Sequence, residues 1–245
     1  MSLVTTRKLK EVRLHNGVLI ESSTGIGMVA GIAANHIISN HSMDQVAAMD
    51  SEEFPPVSMV FNARPKLPSR IYCSQELNLA IFTSEIPLPV KTHRAVATEL
   101  IRWGLEAGCR TFVSLDGIPS ENENRNPAEK PGLWAVGTTE NARKMIQEAK
   151  IQMLDNGMIS GVSAIMLNEG RMNQYDVIGL FAESLVDVPD AAAAAALVEA
   201  LNSLFKPFDF SIKPLLEEAS QIQAQMEKLR RQAEPAIKEP YGLYS

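Results

Sequence analysis

The sequence predicts an α/β fold, a single three-layer sandwich in which helices cover both faces of one mixed sheet. Three observations lead to this prediction. Strand-like and helix-like segments alternate over most of the chain, glycine and proline mark many of their ends, and a helix joins two strand-like runs in the middle. This order is typical of α/β domains. Because no stretch has the pattern of an interdomain linker, residues 1–233 are expected to form one domain.

The chain begins with a strand, a glycine turn and a helix. Val18–Glu21 is apolar, Ser22–Gly27 contains the turn, and Met28–Ser39 has apolar residues at helical spacing. Short β-type runs follow, and the proline-rich and polar segments between them suit hairpins or edge strands. These runs are Gln45–Met49, Val57–Phe61, Arg70–Cys73 and Leu77–Thr83.

A helix and the strand after it mark the middle of the chain. The helix is predicted from Thr92 to Ala107, and Gly108 separates it from strand Thr111–Leu115. Glycine commonly ends a helix because it adopts the left-handed conformation without strain. A helix that connects two strands implies that the strands run parallel. The polar stretch Asp116–Pro131 is expected to be a surface loop.

The second half of the chain alternates in the same way. A threonine hydroxyl is a favourable N-cap, so a helix is predicted from Thr138 or Thr139 to about Leu154. Asp190 opens an alanine-rich helix that runs through Leu204, and alanine is the strongest helix former. Apolar runs predict three strands, at Leu133–Val136, Ile159–Met166 and Val177–Phe181.

The C-terminal part predicts a long amphipathic helix and a flexible tail. The helix is expected at residues 211–233, about 35 Å at 1.5 Å per residue. Residues 234–245 contain two prolines and a glycine and are expected to form a tether. The tail ends in Leu243, Tyr244 and Ser245. An apolar side chain, a phenol and a terminal carboxylate are groups that a partner's pocket can bind.

Composition excludes some classes of partner. The net charge is −6 and the sequence pI is about 5.3, which argues against nucleic acid or an anionic membrane as the main partner. No apolar run approaches the roughly 20 residues that span a bilayer, and the N-terminal residues lack the apolar core of a signal peptide, so a cytoplasmic location is expected. Cys73 and Cys109 are expected to be buried, small apolar residues.

The glycine turn after the first strand is the one candidate anion or nucleotide site. Gly25 and Gly27 lie between a strand and a helix, where backbone N–H groups approach phosphates. The turn lacks the lysine of a P-loop, and simple tight-turn geometry is the alternative interpretation.

The sequence assigns no catalytic residue, no metal site and no cofactor. Asp116, Glu183 and Asp187 follow or end predicted strands, where α/β enzymes often hold catalytic groups, but acidic residues are also ordinary turn residues. His36 and His41 have no spacing that is typical of metal ligands.

The order of motifs resembles the archaeal proteasome assembly chaperone family, which is also labelled an uncharacterised ATP-grasp superfamily. The resemblance covers nearly the whole chain. It rests on Thr24–Ile38, Leu100–Gly104, Thr111–Gly117, Gly157–Ala164, Ala182–Ser184, Pro189 and Asp190 with the alanine helix, and Leu215–Ala219. One departure is visible, because members often carry Gly-Asn-Val-Gly where this chain has Gly25-Ile26-Gly27-Met28.

The resemblance implies a fold and a function. It implies a phosphorylase/hydrolase-like sandwich and a chaperone without catalysis. Tail-bearing members end in a hydrophobic residue, tyrosine and any residue (the HbYX motif), which Leu243, Tyr244 and Ser245 match. Such tails are expected to enter pockets between α-subunits of the 20S proteasome, with the carboxylate meeting a lysine. The resemblance further implies a homo-oligomeric ring, with a pentamer as the expected form.

Other functions stay open at this stage. The superfamily label suggests an ATP-dependent ligase, and the fold suggests a nucleoside-processing hydrolase. A role in opening the gate of mature proteasomes is a further alternative to a role in assembly.

Overall fold

The structure is a computed structural model that describes residues 3–61, 63–122, 125–126, 129–186, 188–221 and 224. In these ranges one large sheet has nine strands in the order β1-β3-β6-β7-β2-β8-β11-β9-β10, and β4 and β5 form a separate ribbon. The strands are β1 (Thr5–Lys8), β2 (Gly17–Ser22), β3 (Asp44–Asp50), β4 (Met59–Phe61), β5 (Arg64–Lys66), β6 (Ser69–Ser74), β7 (Leu79–Ser84), β8 (Cys109–Pro119), β9 (Leu133–Gly137), β10 (Gln152–Met153) and β11 (Asp176–Ser184).

Helices cover both faces of this sheet. They are α1 (Val29–Asn40), α2 (His93–Ala107), α3 (Glu140–Glu148), α4 (Gly161–Asn173) and α5 (Ala191–Leu204), and residues 213–221 are also helical. The helices α1 and α5 pack together on one face, and α2 and α4 pack together on the other. The predicted α/β class, with a mixed sheet between two helical layers, is therefore confirmed.

The centre of the sheet is parallel. β2 pairs in parallel with β7 on one side and with β8 on the other, and β11 pairs in parallel with β8. β7, α2 and β8 form the predicted strand-helix-strand unit, with β2 between the two strands. The helices after β2 and β7 lie on opposite faces, so a crevice opens at the carboxyl ends of these strands.

The predicted strand Ile159–Met166 is wrong, because this stretch enters α4. Short apolar runs fit a buried strand and a buried helix equally well. The residues of α4 that are buried have the spacing of one helical face, and they are Val162, Ser163, Met166, Leu167 and Gly170.

The predicted end of the preceding helix, α3, is also wrong. α3 starts after the N-cap Thr139 as predicted, but it ends at Glu148 rather than near Leu154. Lys150 adopts a left-handed conformation with φ of 58°, which turns the chain into the short strand β10. Leu154 then donates a backbone hydrogen bond to the Ala135 carbonyl at 3.0 Å.

The polar stretch Asp116–Pro131 is only partly a surface loop. Its first residues extend β8 to Pro119, because they continue the parallel pairing with β11. Arg125 is buried and forms an ion pair with the buried carboxylate of Asp190. Asp190 also caps α5 by accepting a hydrogen bond from the Ala193 N–H at 3.0 Å. A buried charge needs such a partner, so this pair anchors the loop to the start of α5.

Three strands, β1, β5 and β10, were not predicted, and part of the C-terminal prediction lies outside the described residues. β1 pairs with β3 at one edge of the sheet, and β5 contains Pro65, which resembled a separator in the sequence. Helical residues 213–221 bury Leu215 and Ala219. The rest of the predicted helix, apart from residue 224, and the whole tail 234–245 are not described.

The expected burial of the two cysteines is confirmed. Cys73 and Cys109 are both buried, and burial raises the pKa of their thiols to about 11 and about 12. Among the described residues, no helix is both long and apolar enough to cross a membrane.

Candidate functional site

The crevice at the carboxyl edge of the parallel strands is the candidate site of the described residues. It has a volume of about 180 Å³. Its walls come from the turn after β2, the segment after β7, the end of β8 and the first turn of α4. Ligands of open α/β sheets bind at this position, where the connections diverge to opposite faces.

Glu21 is the most buried acidic group of the crevice. Its side chain lies on β2, and the residue is 1% exposed. The carboxyl group accepts hydrogen bonds from the Ser23 N–H at 2.8 Å and from the hydroxyls of Ser23 and Ser114. Burial raises the pKa of Glu21, and the nearby charge of Asp116 raises it further, although the serine hydrogen bonds oppose this effect.

A chain of hydroxyl groups joins Glu21 to Asp116. The Ser114 hydroxyl contacts Glu21 and lies 2.8 Å from the Ser163 hydroxyl, which in turn lies 3.4 Å from Asp116 Oδ2. The other oxygen of Asp116 accepts from the Gly117 N–H at 2.8 Å. Burial raises the pKa of Asp116 as well.

Counting protons along this chain indicates that one of the two carboxyl groups is neutral. Each serine hydroxyl has one proton to donate. If both carboxyl groups are ionised and both hydroxyls donate to carboxylates, the contact between the two serines has no proton. One proton on either Glu21 or Asp116 supplies all three contacts, and burial raises the pKa of both groups.

The crevice has the wrong charge for a phosphate site. Among the described residues that line it, there is no lysine or arginine, and Glu21 and Asp116 are both acidic. The ring of His93 contacts the Leu88 carbonyl at 3.0 Å. Ionised carboxyl groups repel anions, so the lining disfavours a nucleotide.

Gly25 and Gly27 pack the turn against the ends of two strands. A Cβ atom at Gly25 would lie 2.5 Å from Asp116 Oδ1. Gly27 has a φ of 60°, and a Cβ atom there would lie 1.9 Å from Ser184 Oγ. The Gly27 carbonyl accepts a hydrogen bond from the Asp190 N–H at 3.0 Å. This packing, with a carboxyl group beside Gly25, favours the tight-turn interpretation over anion binding.

The other acidic candidates do not join this crevice. Glu183 ends β11 and accepts hydrogen bonds from the Ser120 hydroxyl and the Gly132 N–H, which hold its pKa below the ordinary range. It therefore fastens two loops to the strand end. Asp187 lies outside the described residues. Within the described ranges, no group of three or more His, Cys, Asp and Glu residues is placed to hold a metal ion.

The sequence did not identify Glu21 as a site residue. The available signal was that Glu21, an acidic residue, continues the apolar run of a predicted buried strand.

The remaining predicted candidates lie elsewhere. His36 and His41 face the segment after α5, where His36 Nε2 lies 2.7 Å from the Ser211 carbonyl and His41 packs against Phe210. Leu243, Tyr244 and Ser245 lie outside the described residues, so their role stays a prediction.

The topology and the carboxyl-edge crevice define the class of protein as α/β with a large mixed sheet covered on both faces. The PAC2 family model matches residues 19–230. The chain belongs to the PAC2 family, which confirms the resemblance to the proteasome assembly chaperone family.

Three relatives illustrate the similarity. PbaA of Pyrococcus furiosus, described as an archaeal homolog of proteasome-assembly chaperone, is 28% identical with a TM-score of 0.82, over 96% of this chain and 94% of that chain. PbaB of the same organism, described as an archaeal proteasome activator, is 22% identical with a TM-score of 0.79, over 94% and 100%, and supports the fold alone. An uncharacterized protein of Methanocaldococcus jannaschii is 25% identical over 224 residues, 91% of this chain and 89% of the relative.

The first prediction concerns the glycine turn. Gly27→Ala is expected to lower the free energy of unfolding by about 2 kcal/mol or more, because the left-handed backbone and the Ser184 contact both oppose a Cβ atom. Gly31→Ala in α1 is the control, since a Cβ atom there meets nothing within 4 Å. It is expected to leave stability unchanged or to raise it by up to about 1 kcal/mol. Urea denaturation measures both, and equal effects would contradict the packing argument.

The second prediction concerns the protonation of Glu21. Its folded-state pKa is raised above the ordinary 4.5, so the folded protein holds this proton more tightly than the unfolded chain. The contribution of Glu21 to stability is therefore present below pH 4.5 and is lost as pH rises through the folded pKa. The free energy of unfolding of the wild type, relative to Glu21→Gln, is therefore expected to fall as pH rises above 4.5 and through the folded-state pKa.

Glu183→Gln provides a control, because the stability contribution of Glu183 is expected to change with pH in the opposite direction. The pKa of Glu183 is lowered, so its contribution is present above the ordinary 4.5 and is lost as pH falls. Urea denaturation over the same pH series measures both variants. A wild-type advantage over Glu21→Gln that grows with pH would contradict a raised pKa of Glu21.

Proposed function

We propose that the chain is a proteasome assembly chaperone or activator that binds α-subunits of the 20S proteasome and catalyses no reaction. The observation that carries this proposal is the similarity to PbaA over nearly the full length of both chains, at 28% identity. Membership of the PAC2 family and the tail Leu243-Tyr244-Ser245 support it. The hydrogen bonds that join Glu21, Ser114, Ser163 and Asp116 to one another agree with a structural role for the crevice.

The tail is the proposed binding element. Tyr244 offers a flat apolar ring with a polar tip, and Leu243 adds a second apolar contact. We propose that these side chains enter a pocket between adjacent α-subunits. Residues 234–242 carry prolines and a glycine, a composition that suits a tether between the domain and the pocket.

Self-association is the second part of the proposal. One short tail buries little area and loses conformational entropy when it docks. Several tails on one homo-oligomer, with a pentameric ring as the expected form, make the later binding events intramolecular and raise avidity by about 10² to 10⁴. Multiple weak contacts therefore supply the affinity that a single tail lacks.

The prediction for the tail compares two of its tyrosines, Tyr241 and Tyr244. Tyr244→Ala and deletion of residues 243–245 are expected to weaken binding to purified α-subunit rings by about 30-fold or more, because they remove the anchoring side chain. Tyr241→Ala changes the same residue type outside the motif and is expected to bind like the wild type. Surface plasmon resonance measures affinity, and native mass checks that each oligomer is intact. Equal losses for Tyr241→Ala and Tyr244→Ala, or no binding by the wild type, would contradict the proposal.

An ATP-dependent enzyme is the alternative class, and the lining of the crevice argues against it. A ligand that binds only the folded state raises the melting temperature. We expect no change in melting temperature at about 1 mM Mg-ATP, a concentration that would produce a clear rise for a dissociation constant near 10 μM. A rise that Glu21→Gln or Asp116→Asn abolishes would favour a nucleotide site in the crevice.

A further inference from the structure

The β4–β5 ribbon lies apart from the large sheet. β4 and β5 have three residues each, and within the described ranges each pairs with the other and with no strand of the large sheet. An isolated two-stranded hairpin is at best marginally stable in water. A ribbon of this size gains stability when it packs against another surface.

The ribbon carries an exposed apolar residue and positive charge. Val60 on β4 is 73% exposed, and Val57 just before it is 44% exposed. Arg64 and Lys66 lie on β5, and the sequence from Phe54 to Gln75 contains no acidic residue. This segment is therefore positive in a chain whose net charge is −6.

A groove of opposite charge lies beside the stem of the ribbon. It has a volume of about 410 Å³, and its walls include Phe54, Pro56 and Leu67. Asp50 and Glu52 also line it. Asp50 is paired with Arg7 at 2.8 Å, whereas Glu52 is exposed. An apolar groove with an acidic border complements an apolar ribbon with basic neighbours.

We propose that the ribbon of one copy inserts Val60 into the groove of a second copy of this chain, with Arg64 facing Glu52. The chain carries both complementary surfaces. Val60 is mostly exposed, so it is not seated in the groove of its own copy. Such a contact can be reciprocal, so that two copies form a symmetric dimer, or head to tail, so that several copies close into a ring. The inference deepens the self-association proposed above and rests on it.

A pair of matched variants tests the ribbon. Val60→Asp is expected to shift the protein to lower native mass, with the dissociation constant of the oligomer raised at least about 10-fold, because a charge enters the apolar contact. Met158→Asp is the control, since Met158 is 97% exposed in the segment that joins β10 to α4. It is expected to keep the wild-type mass. Light scattering over a concentration series measures mass, and melting temperature checks that both variants are folded.

A charge exchange tests the register of the contact. Glu52→Lys alone and Arg64→Glu alone are each expected to associate at least about 10-fold more weakly than the wild type. An equimolar mixture of the two is expected to form mixed oligomers, because the opposite charges again face each other. Failure of the mixture to associate would contradict the proposed pairing.

The outcomes distinguish this inference from the proposal on which it rests. A wild type that is monomeric at every concentration would overturn both self-association and the ribbon contact. An oligomeric wild type with an unchanged Val60→Asp variant would overturn the ribbon contact alone. Loss of binding to α-subunit rings by an oligomeric Val60→Asp variant would also overturn it, because the ribbon would then meet the proteasome instead of a second copy.

Discussion

Burial of the parallel strands β7, β2 and β8 between two helical layers is the constraint on which the rest of the structure depends. Every residue of β2 and β7 is buried, so polar groups at their carboxyl ends must find partners inside the protein. The Ser22 hydroxyl donates to the Phe82 carbonyl at 2.7 Å, and the Thr24 hydroxyl donates to the Ser84 carbonyl at the same distance. The Glu21 and Asp116 carboxyl groups are satisfied by serines. The glycine turn can then close tightly over the strand ends.

This arrangement agrees with the proposed role, in which a fold that often carries a ligand at the carboxyl edge serves as a scaffold. The polar groups of the crevice bind one another, and its acidic lining disfavours phosphates. In that proposal, contacts with other proteins are made by segments at the periphery of the domain. The ribbon next to β3 has an exposed apolar side chain, and the tail has a tyrosine in a composition that suits a tether.

The sequence predicted the elements whose ends carry a local chemical signal. Gly108 ends α2 in the left-handed conformation, and the hydroxyl of Thr139 accepts from the Ala142 N–H at the start of α3. Prediction from the sequence failed where tertiary packing determines the secondary structure or the burial of a residue. The stretch Ile159–Met166 has strand-like composition but is held in α4 by packing on the sheet. Arg125 lies in a polar loop, and its burial could not be predicted because its partner Asp190 is far away in the sequence.

The candidate site was predicted in its position but not in its chemistry. Gly25, Gly27 and Asp116 were identified, and the structure brings them together at the strand ends. Local sequence does not reveal that Asp116 rather than a phosphate lies beside Gly25, because these residues are far apart in the chain. The most direct measurement is an electron cryo-microscopy structure of the full-length protein bound to purified 20S α-subunit rings. If the tail is the binding element, density for Leu243 and Tyr244 is expected in a pocket between adjacent α-subunits. A complex in which the domain binds the ring and these residues contact nothing would contradict it.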